Sequence, residues 1–95
     1  MNNTSKRYLL QIEPIHAKSA TPVDDTLTRK MKVLLENGER KGRFKGSHKC
    51  ICGERSGSSN IIVKGYITNS LAVHYLRWHR QDIPATEIRK LRNII

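Results

Sequence analysis

Ninety-five residues carry 18 Lys and Arg against 8 Asp and Glu, a formal net charge of +10 with the four histidines neutral. One domain suits this length, and 37% apolar residues with one Trp, three Tyr and one Phe make burial alone a marginal support. No apolar run approaches the ~20 residues of a bilayer span, and Tyr8-Leu9-Leu10 behind Lys6 and Arg7 is too short for a signal-peptide core. The expectation is a cytoplasmic protein, off the membrane, whose small core is reinforced by a metal, disulfides or a partner.

Residues 1–20 read as a flexible N-terminal arm or an edge strand, with one apolar patch over Tyr8–Ile12 closed by Pro14. A single domain is expected over 21–95. Thr21-Pro22-Val23-Asp24 reads as a helix start: Thr caps, Pro suits the first turn, and Asp24 and Asp25 favour the positive end of the dipole. Val23, Leu27, Met31, Leu34 and Leu35 recur at helical spacing, and Asn37-Gly38 ends the element through a left-handed glycine, giving a helix over 22–37. Residues 39–49 form a basic loop. His48 to Cys52 suits a short strand turned by Gly53, and 57–60 a loop. Ile61 to Thr68 is β-branched and aromatic, a second strand with Gly65 at a bulge. These two strands are expected to pair as an antiparallel hairpin with a long connection. A helix over 70–81 places Leu71, Tyr75 and Trp78 on one side. Asp82-Ile83-Pro84 breaks it and starts a C-terminal helix, 84–95, striped by Ile88, Leu91 and Ile95. The fold class is small α+β: helix, β-hairpin, helix, helix.

The charge is uneven. Residues 1–28 are neutral, 29–55 hold +6, 56–76 hold +1 and 77–95 hold +3. Most of the excess therefore belongs to one connecting stretch, Arg29 to Lys49.

Cys50 and Cys52 are the two cysteines, with one residue between them. A disulfide across so short a separation strains the preferred bridge geometry, and two plain core cysteines would be oddly placed on either side of Ile51 beside Gly53. His74 and His79 follow after 21 residues, separated by four. Two thiolates and two imidazoles are ligands that zinc prefers, and four of them close a tetrahedral structural site. The His spacing falls in the finger range, whereas one residue between the cysteines is shorter than usual. On a strand, Cys50 and Cys52 would share a face, and His48 with them, which makes His48 a fifth candidate ligand. Five residues of ideal helix leave His74 and His79 about 140° apart. Convergence requires the helix to loosen before Asp82-Ile83-Pro84; otherwise His79 faces the apolar side and His74 the solvent. The metal unit is assigned to 48–79.

The run His48-Lys49-Cys50-Ile51-Cys52-Gly53, with Thr68-Asn69-Ser70-Leu71-Ala72-Val73-His74-Tyr75-Leu76 and Trp78-His79-Arg80, resembles a group of small bacterial zinc-finger-like proteins of unknown function. The shared features are Cys-x-Cys-Gly and His-Tyr-Leu-x-x-His, across about 48–84. The resemblance implies that Cys50, Cys52, His74 and His79 act as one unit and brings no activity with it.

Three functional readings compete. The leading one is a zinc-stabilised, non-enzymatic module that binds nucleic acid. Arg40, Lys41, Arg43, Lys45 and Lys49 would neutralise phosphates, Phe44 would stack on an unpaired base, and Arg77 and Arg80 would extend the patch. The bland counterpart is a solvated basic surface. The alternative is a protein–protein adaptor using the Trp78 face or the Ile88/Leu91/Ile95 stripe, which could equally pack as core. The third is a His-Asn-His-like nuclease built on His48, Asn69 and His79, in which the cysteines would be idle and acidic ligands scarce. No His-Glu-x-x-His pattern, nucleophile triad or phosphate-binding glycine loop is present, so no small-molecule substrate is expected.

Overall fold

A computed structural model describes residues 7–41, 49–57 and 60–95. Helix α1 spans Thr26–Asn37, with Asp25 as its cap: the Asp25 carboxylate accepts the Thr28 backbone N–H at 3.1 Å. The helix thus starts four residues later than the Thr21-Pro22 signal suggested. The lead-in is held extended instead, because Ser19 N–H donates to Trp78 O at 2.9 Å and Val23 N–H to Arg77 O at 2.8 Å. Leu27, Thr28 and Met31 form the buried face.

Gly38 follows α1 with φ −76° and ψ 162°, so the expected left-handed cap is not used. A different constraint selects glycine here. A Cβ at this position would lie 2.5 Å from Ile61 Cγ2 and 2.9 Å from Val63 Cγ1, closer than Cβ contacts come, and 3.0 Å from the Ile62 carbonyl oxygen.

The sheet contains β1 (Glu39–Lys41), β2 (Asn60–Val63) and β3 (Tyr66–Thr68), in the order β1-β2-β3 and antiparallel throughout. Arg40 pairs with Ile61, and Ile62 with Ile67. The run read as one strand over 61–68 is therefore a hairpin by itself. Lys64 (φ 49°) and Gly65 (φ 85°) form its two-residue turn, whose paired positive φ values match the twist of the flanking strands. Gly65 belongs to that turn, not to a bulge. Among the described residues, Lys49–Cys52 do not pair with 61–68: Lys49 forms a single antiparallel bridge with Arg55 instead, and His48 lies outside the described residues.

Packing begins well before residue 21. Tyr8 makes a parallel bridge with Ile67, and Leu9 N–H donates to Ile67 O at 3.0 Å, so the N-terminal segment lies along β3. Leu9 and Leu10 are both 0% exposed. Leu10 N–H reaches Glu87 Oε1 at 2.8 Å, and Lys90 Nζ donates to Tyr8 O at 2.9 Å, which fastens this segment to the C-terminal helix as well.

Helix α2 spans Leu71–Trp78, followed by a 3-10 turn at Arg80–Asp82 and helix α3 over Ala85–Ile94. Asn69 Oδ1 accepts the Leu71 N–H at 2.8 Å, satisfying one free donor at the start of α2. Leu9, Leu10, Met31, Ile61, Leu71, Leu76 and Leu91 form the centre of one core, which Cys50 also joins. Helix α1 packs on α2 and β2. Among the described residues no helix is long and apolar enough to cross a membrane. The architecture is a small α+β fold with α-helices on a three-stranded antiparallel sheet, in the expected order of helix, hairpin, helix, helix.

Candidate metal centre

Cys50-Ile51-Cys52-Gly53 is a tight turn, where a strand was expected. Gly53 N–H donates to Cys50 O at 2.9 Å, and Cys50 N–H to Glu54 O at 2.8 Å. Gly53 has φ 102°, a region that side-chain-bearing residues rarely enter. The chain reverses within these residues and Ile51 is left 61% exposed, so both sulfurs face the same group.

The histidines converge because α2 ends between them. Trp78 is its last residue, and His79 adopts φ −129° and ψ 36° while its N–H still reaches Tyr75 O at 2.8 Å. Leaving the helix removes the angular separation that an unbroken helix would impose. The two rings meet edge to face, 5.1 Å between centroids. Ser70 Oγ accepts the Gly57 N–H at 2.8 Å, which joins the segment after the cysteine turn to the start of α2.

One potential ligand atom from each of Cys50, Cys52, His74 and His79 lies within 4.8 Å of all the others. Cys50 Sγ is 3.2 Å from His79 Nε2, and Cys52 Sγ is 3.1 Å from His74 Nε2. Metal–sulfur bonds of ~2.3 Å and metal–nitrogen bonds of ~2.0 Å give tetrahedron edges of roughly 3.3–3.8 Å. The four atoms bracket that range, so the group can hold a metal ion. Cys50 and His79 are each 1% exposed, whereas Cys52 is exposed and His74 half-buried.

The electrostatics suit a cation. Burial pushes the Cys50 thiol up from its ordinary value, and the neighbouring Cys52 sulfur adds to the shift. Burial lowers His74, aided by the charge His79 would carry, and burial lowers His79 against the opposing pull of Asp82. Both imidazoles are thus kept in the neutral form that ligates metals, while two adjacent thiolates are unfavourable without a positive ion between them. Tyr75 packs against both rings at 6.0 and 6.3 Å between centroids; burial, then the two cysteines, push its hydroxyl up to about 12.

The other candidate residues separate into groups. His48, Arg43, Phe44 and Lys45 lie outside the described residues. Arg40 on β1 and Lys49 beside the cysteine turn are exposed, and Lys41 ends β1. Arg77 lies 3.6 Å from Asp24. Arg80 is committed to the fold: it donates to both Asp25 carboxylate oxygens at 2.7 and 3.1 Å and to Leu76 O at 3.1 Å. Neither guanidinium is an idle surface charge. Asn69, a member of the nuclease-like set, is buried and occupied in starting α2.

Two contributors were not legible in the chain. Arg80 fixes the cap of α1 across 55 residues of sequence, and no local pattern announces such a pair. His16 binds Asp82 (Nδ1 to Oδ1, 2.6 Å), holding the N-terminal segment against the turn that follows His79. Comparison with family models, curated proteins and solved structures finds no match for this chain.

Proposed function

We propose that the ion is zinc and that the protein is a zinc-stabilised, non-enzymatic module that binds nucleic acid through its basic connecting stretch. The observation that carries the reading is the closed set of two sulfurs and two imidazole nitrogens, assembled from a turn and a helix end far apart in sequence. Mixed thiolate and imidazole ligands favour zinc over the hard oxygen-seeking cations. Four protein ligands complete a tetrahedron and leave no place for substrate, which supports a structural role. Such a site contributes on the order of 10 kcal/mol to folding, the term a core of this size otherwise lacks.

The partner class follows from charge. The +6 carried by 29–55 spans the cysteine turn and the residues before it, and Arg40 and Lys49 within it are exposed. Arg77 and Arg80 drop out because each faces a carboxylate. The proposed contacts are Arg40, Lys41, Arg43, Lys45 and Lys49 to phosphates, with Phe44 stacking on a base.

Metal analysis of protein purified without chelator should give one zinc per chain; a stoichiometry near zero overturns the metal reading. Replacing Arg40, Lys41, Arg43 and Lys45 with Ala should weaken oligonucleotide binding for all sequences and flatten its salt dependence. Unchanged binding overturns the partner reading and leaves the metal reading standing.

A further inference from the structure

A second surface lies away from the metal centre. An open groove of about 370 Å³ runs along α1 and is lined, among the described residues, by Thr26, Arg29, Lys30, Val33, Leu34 and Ile95. The five helical residues sit three and four apart, so they form one continuous face. Leu34 is half-buried, while Val33 is 54% and Ile95 40% exposed, two of the larger apolar side chains that the fold leaves in water. At the Thr26 end the groove meets a second hollow that contains Leu27 and Arg92.

The polar groups around this apolar floor are predominantly cationic. Lys30 and Arg92 make no ion pair with any described residue, and Arg29 reaches only the Asp24 carbonyl, at 3.3 Å. Asp25, which lines the adjoining hollow, accepts two hydrogen bonds from Arg80. The rim therefore presents unanswered positive charge around apolar side chains.

We infer that this groove is a docking site for an acidic amphipathic segment of another protein, apolar side chains entering along Val33, Leu34 and Ile95 and flanking carboxylates meeting Arg29, Lys30 and Arg92. The groove falls in the volume range of ligand sites, ~300–1,000 Å³, and a helix laid in an apolar groove is a common mode of peptide recognition. Charge complementarity selects the occupant. A second copy related by a two-fold axis would bring Arg29, Lys30 and Arg92 up against like charges in a chain already at +10. Nucleic acid would satisfy the rim and leave the apolar floor in water. This groove shares no residue with the four candidate metal ligands or with the phosphate contacts proposed at Arg40, Lys41, Arg43, Lys45 and Lys49.

A displayed library of random short peptides, selected on the full chain as purified, tests it. Enriched peptides should carry apolar residues at helical spacing flanked by Asp or Glu. Their affinity, measured by fluorescence anisotropy, should fall at least roughly tenfold with Val33→Asp, equivalent to one lost contact of ~1.4 kcal/mol. The Arg29→Glu/Lys30→Glu pair, which leaves the apolar floor untouched, should have a similar effect, with helicity by circular dichroism confirming that both proteins fold. Failure to enrich such peptides, enrichment of basic ones, or binding by either variant as tight as that of the unchanged protein overturns the proposal. So does a sedimentation dimer that Val33→Asp dissociates, which gives the groove to a second copy, or displacement of the peptide by oligonucleotide, which gives it to nucleic acid.

Discussion

The two halves of the metal centre are chemically alike and physically different. Each pairs a sulfur with an imidazole nitrogen at 3.1–3.2 Å, yet Cys50 and His79 are sealed within the core while Cys52 and His74 face outward. Burial divides the work between them. The inner pair would join a bound ion to the core that Cys50 shares with Met31 of α1 and with Leu71 and Leu76 of α2, so its loss is expected to be a loss of fold. The outer pair completes the coordination sphere where water can replace a missing ligand, so its loss is chiefly one of affinity.

The largest expected effect tests the inner half. If the proposed zinc is bound, Cys50→Ser or His79→Ala should remove most of the ~10 kcal/mol such a site contributes and unfold the domain, read as loss of ellipticity together with loss of bound metal. Cys52→Ser should lower zinc affinity and leave the protein folded in excess zinc, with less than half the stability loss of Cys50→Ser. Equal damage from the two cysteine variants would break the comparison. Two substitutions outside the site sharpen it by measuring what the rest of the fold contributes. Gly38→Ala forces a Cβ against Ile61 and the Ile62 carbonyl and should destabilise by about 1–3 kcal/mol in chemical denaturation, with zinc stoichiometry unchanged.

Arg80→Ala should have the smallest effect, about 1 kcal/mol or less, a fall in Tm of a few degrees, because the Asp25 carboxylate is half exposed and solvent screens the pair. Its pH dependence is diagnostic. The Arg80 guanidinium holds the Asp25 carboxyl well below the usual carboxylate range. A depressed folded value means that the stabilisation is complete above the ordinary Asp value near ~4 and is lost as pH falls below it. The stability difference between wild type and Arg80→Ala should therefore shrink in acid below about pH 4, a comparison in which ligand protonation, common to both proteins, cancels.

The four candidate ligands were legible from residue type and spacing alone, since few other pairings explain two cysteines and two histidines so arranged. How they converge was not. Cys-x-Cys on a strand and Cys-x-Cys in a turn place both sulfurs on one side equally well, and only the hydrogen bonds of Cys50 and Gly53 distinguish them. Helix α1 announced itself through Leu27, Met31 and Leu34, although its start did not: Asp25 competed with Thr21 for the cap and won through a long-range tie to Arg80. The hairpin was hidden for another reason. Lys64-Gly65 lacks the Asn or Asp that usually precedes glycine in such a turn, so continuous β-branched residues on both sides read as one strand. The apolar patch over Tyr8–Ile12 left an arm and an edge strand both open, because the partners that bury Leu9 and Leu10 come from β3 and α3.

That same hairpin governs the order in which the molecule can assemble. It occupies the interval of 21 residues between Cys52 and His74, the loop that must close before all four ligands can share an ion. A free loop pays closure entropy that grows with its length, whereas a hairpin joined by two residues forms locally, within about 1–10 μs. Once β2 and β3 have paired, the effective loop is shorter and α2 starts three residues beyond the end of β3. Lys64 and Gly65 are not among the four candidate ligands, yet by letting β2 and β3 pair locally they shorten the loop between the cysteine turn and the histidine helix, which would ease capture of an ion.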